Sequence, residues 1–199
     1  MNLVQKRISE SIDTKRKIIE DESLVKRIEE ASDIIINRIK LGNTIYFCGN
    51  GGSAADAQHL AAELSGRFYF DREPLSSEAL HCNTSFMTAV ANDYSFDIIY
   101  SRLIKGVGRR GDVLIGLSTS GNSENIVRAF ETAKQKGIYT IAFTGAGGGK
   151  MKAIADLCIN VPSTDTPRIQ ESHITIGHIV CEIVEDTLFE KPVDDGNKK

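Results

Sequence analysis

The chain has 199 residues, of which 41% are hydrophobic and 26% charged, and a formal net charge of −3. This length is enough for one sizeable core, and the composition is that of an ordinary globular protein. Nucleic-acid and anionic-membrane binders need a clustered basic face, whereas the basic residues here are interleaved with acidic ones. No apolar run has the length of a membrane span and the N-terminus lacks a signal-peptide pattern, so we expect a cytoplasmic protein.

The first 41 residues predict two helices. In the second helix the apolar side chains recur at helical spacing and form a wide stripe, made of Leu24, Val25, Ile28, Ala31, Ile34, Ile35, Ile36 and Ile39. Gly42 and Asn43 then end the helix, as C-terminal signals do. A stripe of this width covers either a sheet of the same chain or a partner subunit, and the spacing leaves both open.

From residue 44 onward, short apolar runs alternate with helical segments. Strands are predicted at 44–49, 112–118, 138–145 and 157–162, and helices after residue 52, at 122–136 and at 168–189. This alternation predicts an α/β fold in which a parallel sheet carries helices on both faces. We expect one domain over 1–191 and a disordered polar tail at 192–199. Ligands of such sheets bind beside the carboxyl ends of the strands, which directs attention to the loops after 44–49 and 112–118.

The first of these loops, GNGGS at 49–53, precedes a helix whose free N–H groups can bind an anion. Gly49, Gly51 and Ala54 also satisfy the glycine pattern of dinucleotide-binding proteins. The acidic residue expected about twenty positions on would be Asp71, which lies in a charged loop rather than at a strand end, so the nucleotide alternative is disfavoured. The later GAGGGK segment is followed by Met151, which does not fit an ATPase-type P-loop.

The second loop, STSGNS at 118–123, lies between a buried strand and a helix start. Its four hydroxyl groups belong to Ser118, Thr119, Ser120 and Ser123. Capping a helix requires only one such residue. Because hydroxyl and backbone N–H groups together can bind a phosphate without Lys or Arg, the loop predicts a phosphate site.

Two pairs of polar residues share helix faces. His59 and Glu63 are four residues apart on the helix after the glycine loop, and Gln170 and His178 are eight apart on the C-terminal helix. Histidine, carboxylate and amide oxygen form a plausible ligand set for zinc, although glutamine is an uncommon ligand. Spacing alone leaves metal binding open. The four separated cysteines, Cys48, Cys82, Cys158 and Cys181, predict reduced thiols and neither a disulfide nor a cysteine metal site.

Three motifs together resemble one enzyme family. CGNGGSAADAQHLAAELSGR at 48–67, LSTSGNS at 117–123 and RIQESHITIGH at 168–178 are similar to the sedoheptulose-7-phosphate isomerases, also called phosphoheptose isomerases, of the sugar-isomerase (SIS) domain superfamily. The resemblance extends to about residue 190. It implies a three-layer sandwich with a central parallel sheet and N-terminal helices. It also implies conversion of sedoheptulose 7-phosphate to D-glycero-D-manno-heptose 7-phosphate through an enediol, the first step toward the heptoses of bacterial surface glycans.

The resemblance also implies roles for individual residues. Glu63 and His178 match the acid–base pair of the family. His59, Glu63, Gln170 and His178 match positions that bind zinc in some members, which implies one zinc ion per subunit. The implied substrate contacts are Asn50, Gly51, Gly52, Ser53, Glu63, Asn92, Asp93, Ser118, Thr119, Ser120, Ser123 and Gln170.

The family is homotetrameric, and its members place sites at subunit interfaces and N-terminal helices in a central bundle. The resemblance therefore implies an oligomerisation segment at 2–41. One departure affects a polar substrate contact: some members have an acidic residue shortly before the RIQ motif, where this chain has Thr166 and Pro167. Asp165 lies nearby and is a candidate substitute.

Two other functions compete with an enzyme. The superfamily includes a non-catalytic tetrameric partner of the bacterial replication initiator, and a sugar-phosphate sensor would also keep the hydroxyl-rich loop. Neither function requires a general base, and the replication partner lacks the carboxylate that this chain has at Glu63. Its presence favours the isomerase.

Overall fold

The computed structural model describes residues 1–191, so the predicted tail at 192–199 lies outside the described residues. The elements follow the chain in this order: α1 (Leu3–Glu20), α2 (Glu22–Lys40), β1 (Ile45–Gly49), α3 (Gly52–Ser65), β2 (Ser77–Ala79), α4 (Thr84–Asp93), a 3-10 turn (Phe96–Ile98), α5 (Ile99–Val107), β3 (Val113–Ser118), α6 (Glu124–Lys136), β4 (Tyr139–Thr144), α7 (Gly149–Ile154), β5 (Leu157–Asn160) and α8 (Thr166–Leu188). The four predicted strands are confirmed, and β2 is an additional one.

The sheet is parallel throughout, with the strand order β2-β1-β3-β4-β5. The order reverses between β1 and β3, which is the switch point of a doubly wound sheet. Gly49 at the end of β1 is in register with Leu117 near the end of β3. The glycine loop and the hydroxyl-rich loop therefore leave the same edge of the sheet side by side, as the sequence predicts.

Helices cover both faces of the sheet, which confirms the three-layer α/β fold. One apolar cluster joins α2, α3 and α8 to one face, and a second joins α4, α5, α6 and α7 to the other. β3 is buried along its whole length, as expected for a strand covered on both sides. Within residues 1–191, no helix combines the length and the apolar composition needed to cross a bilayer.

The apolar stripe of α2 packs mostly inside its own chain. Its side chains at five stripe positions are less than a tenth exposed, namely Leu24, Ile28, Ala31, Ile35 and Ile36. They join the cluster that also holds β1 and α8. For these positions the same-chain alternative is the correct one.

Helices α3 and α8 run parallel and in close contact. A Cβ atom added to Gly177 on α8 would lie 2.5 Å from Cδ1 of Leu60 on α3, so only glycine allows the helices to approach this closely. Because Leu60 and Gly177 adjoin His59 and His178 in sequence, this contact sets the separation of the two helices at the level of the predicted metal ligands.

Candidate active site

The structure brings three of the predicted site residues together across α3 and α8. Nε2 of His59 lies 2.9 Å from Nε2 of His178 and 3.0 Å from Oε1 of Glu63. Ligand atoms of all three residues lie within 4.8 Å of one another. The ring of Phe68 lies beside His178, with ring centroids 5.8 Å apart. The i,i+4 spacing on α3 places two of the groups, and the packing of α8 supplies the third.

The donor chemistry of this cluster fits a zinc ion. Two imidazole nitrogens and one carboxylate oxygen are ligands that zinc prefers. Tetrahedral zinc, with metal–ligand bonds of about 2.0–2.1 Å, separates its ligand atoms by about 3.3 Å, which is close to the 2.9 and 3.0 Å found here. His59 has half of its side chain exposed, so an ion and a small substrate can reach the cluster from solvent.

Gln170 lies on the same face of α8 as His178, nearer the start of the helix. Its amide packs against Gly52 at the start of α3, where an added Cβ would lie 2.8 Å from Nε2 of Gln170. Eight residues of helix separate it from His178, a rise of about 12 Å. Its position beside the glycine loop suits a substrate contact, and its role as a fourth metal ligand stays a prediction.

The predicted phosphate loop forms a compact group of hydroxyls at the start of α6. Oγ of Ser118 lies 2.9 Å from Oγ of Ser123 and 3.5 Å from Oγ of Ser120. Ser123 occupies the N-cap position, yet its side chain makes no capping hydrogen bond. The hydroxyls of Ser118 and Ser123 therefore face each other rather than the helix end, which distinguishes them from ordinary caps, whereas Oγ of Ser120 also accepts a hydrogen bond from the N–H of Asn122. Thr119 joins the loop to the next strand end through its backbone, because its carbonyl oxygen accepts a hydrogen bond from the N–H of Gly145.

The GAGGGK segment supports this loop. The backbone N–H of Met151 donates to the carbonyl of Gly121, and that of Lys150 donates to Oδ1 of Asn122. Gly121 has φ +66°, and an added Cβ would lie 2.1 Å from the carbonyl oxygen of Gly148. The two loops therefore pack backbone to backbone, so the segment is a structural buttress as well as a turn.

The glycine loop lies opposite. Ser53 is buried in the first turn of α3, whose N-cap, Gly51, provides no side-chain hydrogen bond. A cavity of about 280 Å³ opens beside this loop, lined in part by Asn50, Gly51 and Phe96. The loop therefore places the positive end of the α3 dipole beside space for an extended ligand.

Three predicted or candidate contacts lie apart from these loops. Asn92 and Asp93 are exposed at the end of α4, where Nδ2 of Asn92 donates to Oδ1 of Asp93 at 2.9 Å. Asp165 is exposed at the N-cap of α8 and caps no N–H group with its side chain. Within one chain, none of the three hydrogen-bonds to the cluster or the phosphate loop across the described residues, and their roles stay predictions.

The nucleotide alternative finds no support at Asp71. This residue is exposed in the segment between α3 and β2, six positions before the strand begins. It therefore does not occupy the strand end from which an acidic side chain binds a ribose.

The sequence reasoning did not single out Arg72, Glu185 and Asn125. Arg72 and Glu185 form a buried ion pair beneath the end of α3. Asn125 exchanges hydrogen bonds with Asn50 between the two loops. His173 is fully buried, with Nε2 3.2 Å from the carbonyl oxygen of Thr144.

Comparison with known proteins defines the class first. Residues 8–145 match the family model described as the SIS domain. The match covers the glycine loop, the hydroxyl-rich loop, α3 and the first four strands of the sheet. The chain thus belongs to the SIS-domain family and has its fold.

More similar relatives narrow the family. The chain is 50% identical over 194 residues to a phosphoheptose isomerase of Clostridium acetobutylicum, covering 98% of this chain and 99% of the relative. It is 57% identical over 161 residues to that of Rhodospirillum rubrum, covering 81% and 86%. The solved phosphoheptose isomerase of Neisseria gonorrhoeae superposes with a TM-score of 0.87 at 40% identity, covering 93% of this chain and 97% of that one. The chain therefore belongs to the phosphoheptose isomerase family and is an isomerase.

Proposed function

We propose that the chain interconverts sedoheptulose 7-phosphate and D-glycero-D-manno-heptose 7-phosphate, as the first step toward heptoses of bacterial surface glycans. The observation that carries the proposal is the convergence of His59, Glu63 and His178 between α3 and α8, because α3 begins at the glycine loop, beside the hydroxyl-rich phosphate loop. The names of the relatives support the same substrate class. A replication partner or a sensor is not favoured, because neither uses this carboxylate.

The phosphate group anchors the substrate. Hydroxyls of Ser118, Ser120 and Ser123 and the free N–H groups at the start of α6 donate to its oxygens, with Thr119 contributing at the loop edge. Ser53 adds a hydroxyl from the start of α3. These contacts hold the phosphate equally in substrate and transition state, so they contribute mainly to binding.

Glu63 and His178 carry out the proton transfers. The Glu63 carboxylate takes a proton from the carbon next to the carbonyl, while His178 gives a proton to the carbonyl oxygen, which yields an enediol. Glu63 then returns its proton to the former carbonyl carbon, and His178 takes the proton of the neighbouring hydroxyl, which yields the aldose. Each group ends the cycle in its starting protonation state.

The metal ligands in this proposal are His59, Glu63, Gln170 and His178, holding one zinc ion per subunit. When bound, zinc polarises a carbonyl and stabilises negative charge on its oxygen. The remaining substrate contacts proposed are Asn50, Gly51, Gly52, Asn92 and Asp93. The amide of Gln170 beside Gly52 supports a role in orienting the sugar near the glycine loop.

We further propose a homotetramer with sites at subunit interfaces. Ile8, Ile12 and Ile19 lie on one face of α1, and each is at least half exposed. An apolar groove of about 330 Å³ lies between α1, α2 and α8 and is lined in part by Val25 and Ile179. Exposed apolar surface of this kind favours association. In the proposed tetramer, Asn92 and Asp93 of one subunit reach the site of a neighbouring subunit.

Replacing Glu63 by Gln tests the reaction. This change removes the base at nearly constant shape, so turnover of sedoheptulose 7-phosphate should be abolished while the thermal unfolding midpoint stays near that of the wild type. Glu131→Gln, an exposed substitution on α6, provides the matched control and should keep full activity. NMR detection of the heptose 7-phosphate product measures both. Turnover near the wild-type level in Glu63→Gln would exclude the proposed base.

A further inference from the structure

Arg72 and Glu185 form an ion pair that is almost completely withdrawn from water. Their side chains are 2% and 0% exposed, and Nε of Arg72 donates to Oε1 of Glu185 at 2.9 Å. Burying two charges costs free energy that their attraction often fails to recover. The pair is therefore weak evidence for stability by itself, and its other contacts indicate what it does.

The remaining donors of Arg72 bind the end of α3. Nη2 donates to the carbonyl oxygen of Glu63 at 2.8 Å, and Nη1 donates to those of Leu64 at 2.9 Å and Gly66 at 3.1 Å. A helix leaves its last carbonyls without partners, and a cation there is favoured by the helix dipole. One guanidinium thus caps the helix at the residue that carries the carboxylate of the site.

Glu185 connects this cap to α8. Its two carboxylate oxygens accept hydrogen bonds from the N–H of Phe68 at 2.9 Å and of Tyr69 at 2.7 Å. Burial acts to raise the pKa of Glu185, but these N–H groups and Arg72 together hold the pKa below its usual range. Glu185 lies seven residues after His178, two turns along the same face of α8. The pair therefore joins the two helices that carry the cluster.

We propose that Arg72, held by Glu185, is a positioning residue that fixes Glu63 relative to His178 and so sets the turnover number. This inference rests on the proposed function of Glu63. A planar guanidinium spreads five donors over three nitrogens, whereas the three donors of a lysine ammonium lie on one atom, so lysine cannot reproduce these contacts to the carboxylate and the separate carbonyls. The phosphate loop has no contact with the pair among the hydrogen bonds of the described residues, so substrate affinity should be insensitive to it.

Steady-state kinetics of full-length variants test the inference. Arg72→Lys should lower kcat by about tenfold to a hundredfold, because small displacements of a reacting group have effects of that size. KM should stay within about twofold of the wild type, since the phosphate contacts remain. Glu185→Gln should lower kcat less, because Arg72 keeps its bonds to the carbonyls of α3.

Ile104→Ala is the matched control for stability. Ile104 is fully buried in the opposite layer, so its truncation destabilises the fold without touching the pair. At a temperature where every variant is folded, the control should keep the wild-type kcat. The inference is overturned if Arg72→Lys keeps kcat, or if its loss of kcat equals that of Ile104→Ala. If Arg72→Lys does not fold, the same comparison is made with Glu185→Gln, where a kcat equal to that of the control overturns the inference.

The imidazole NMR signals of His59 and His178 provide a readout that does not depend on turnover. They should shift in Arg72→Lys and stay in place in Ile104→Ala. A wild-type protein that fails to convert sedoheptulose 7-phosphate contradicts the proposed function, whereas an active wild type with unshifted signals in Arg72→Lys contradicts the positioning role.

Discussion

Asn50 and Asn125 exchange two hydrogen bonds across the site, each 2.9 Å long, with the amide of each residue both donating and accepting. Asn125 is 2% exposed in the first turn of α6, whereas Asn50 is only half-buried in the loop after β1. The pair links the glycine loop directly to the helix that follows the phosphate loop. The separation of the two loops therefore depends on a neutral amide at position 125.

Asn125→Asp should weaken the protein. The carboxylate cannot donate to Oδ1 of Asn50, and it introduces a charge at a buried position. We expect the free energy of unfolding to fall by about 1–3 kcal/mol, measured by urea denaturation. Gln135→Glu makes the same change from amide to carboxylate at an exposed position of the same helix and should change stability by less than about 0.5 kcal/mol. Equal losses in the two variants would contradict the importance of the buried pair.

Metal content should depend on the cluster. Elemental analysis of untreated protein is expected to find near one zinc per chain, and His59→Ala should lose most of it, because one of three converging ligands is removed. His81→Ala is the control, since His81 lies outside the cluster, beside the cavity at the glycine loop. A chelated protein that keeps full activity would reject an essential metal, and equal zinc in both variants would reject this site.

Light scattering should give a mass about four times the 21.8 kDa of the chain. Replacing both Ile8 and Ile12 by Glu places charges on the exposed apolar face of α1 and should dissociate the assembly. Lys6→Glu, on the opposite face of the same helix, should leave the mass unchanged. A wild-type protein that runs as a monomer would contradict the shared-site arrangement.

Stability should fall between pH 6.5 and about 4 because of His173. Burial lowers the pKa of His173 to about 4, although its hydrogen bond to the carbonyl of Thr144 opposes this. The unfolded chain, with a histidine pKa near 6.5, therefore binds a proton in this window that the folded chain does not. Above pH 6.5 His173 is neutral in both states and costs no stability. As pH falls through about 4, the loss in the free energy of unfolding due to His173 approaches about 3 kcal/mol.

His173→Gln should flatten this dependence, because the amide can still donate to the carbonyl of Thr144 but does not titrate. Urea unfolding at several pH values above 4.5 provides the comparison. Glu185, whose pKa is also lowered, contributes its own loss below its usual value of 4.5, so this window largely separates the two groups. Parallel profiles for the variant and the wild type would show that His173 is not responsible.

Local patterns predicted the parts of the molecule that local physics determines. The buried strands are near-continuous apolar runs, and each of the two loops contains its glycines or hydroxyls within a stretch of five or six residues. His59 and Glu63 share a face because their spacing matches one helical turn. In contrast, β2 is a strand of three residues at the sheet edge, and α4 and α5 lie in a segment, 68–111, for which no periodicity was recognised.

Contacts between residues far apart in sequence could not be predicted from local patterns. Asn50 and Asn125 are 75 residues apart, and Arg72 and Glu185 are 113 apart, so nothing in either neighbourhood identifies the partner. One signal was available at Glu185. It lies four residues after Cys181 and one after Val184, within the buried stripe of α8, where a charged residue requires a partner. That reasoning predicts a buried cation without showing that Arg72 provides it.

The close approach of α3 and α8 at Gly177 has a consequence for how function is distributed along the chain. A methyl group there would have to separate the helices, and with them His59 and His178. Gly177 offers no acid, base or ligand atom, yet the position of the reactive groups depends on the absence of a side chain there. An inventory of reactive side chains would pass over this position, although few substitutions in the protein should be tolerated less well.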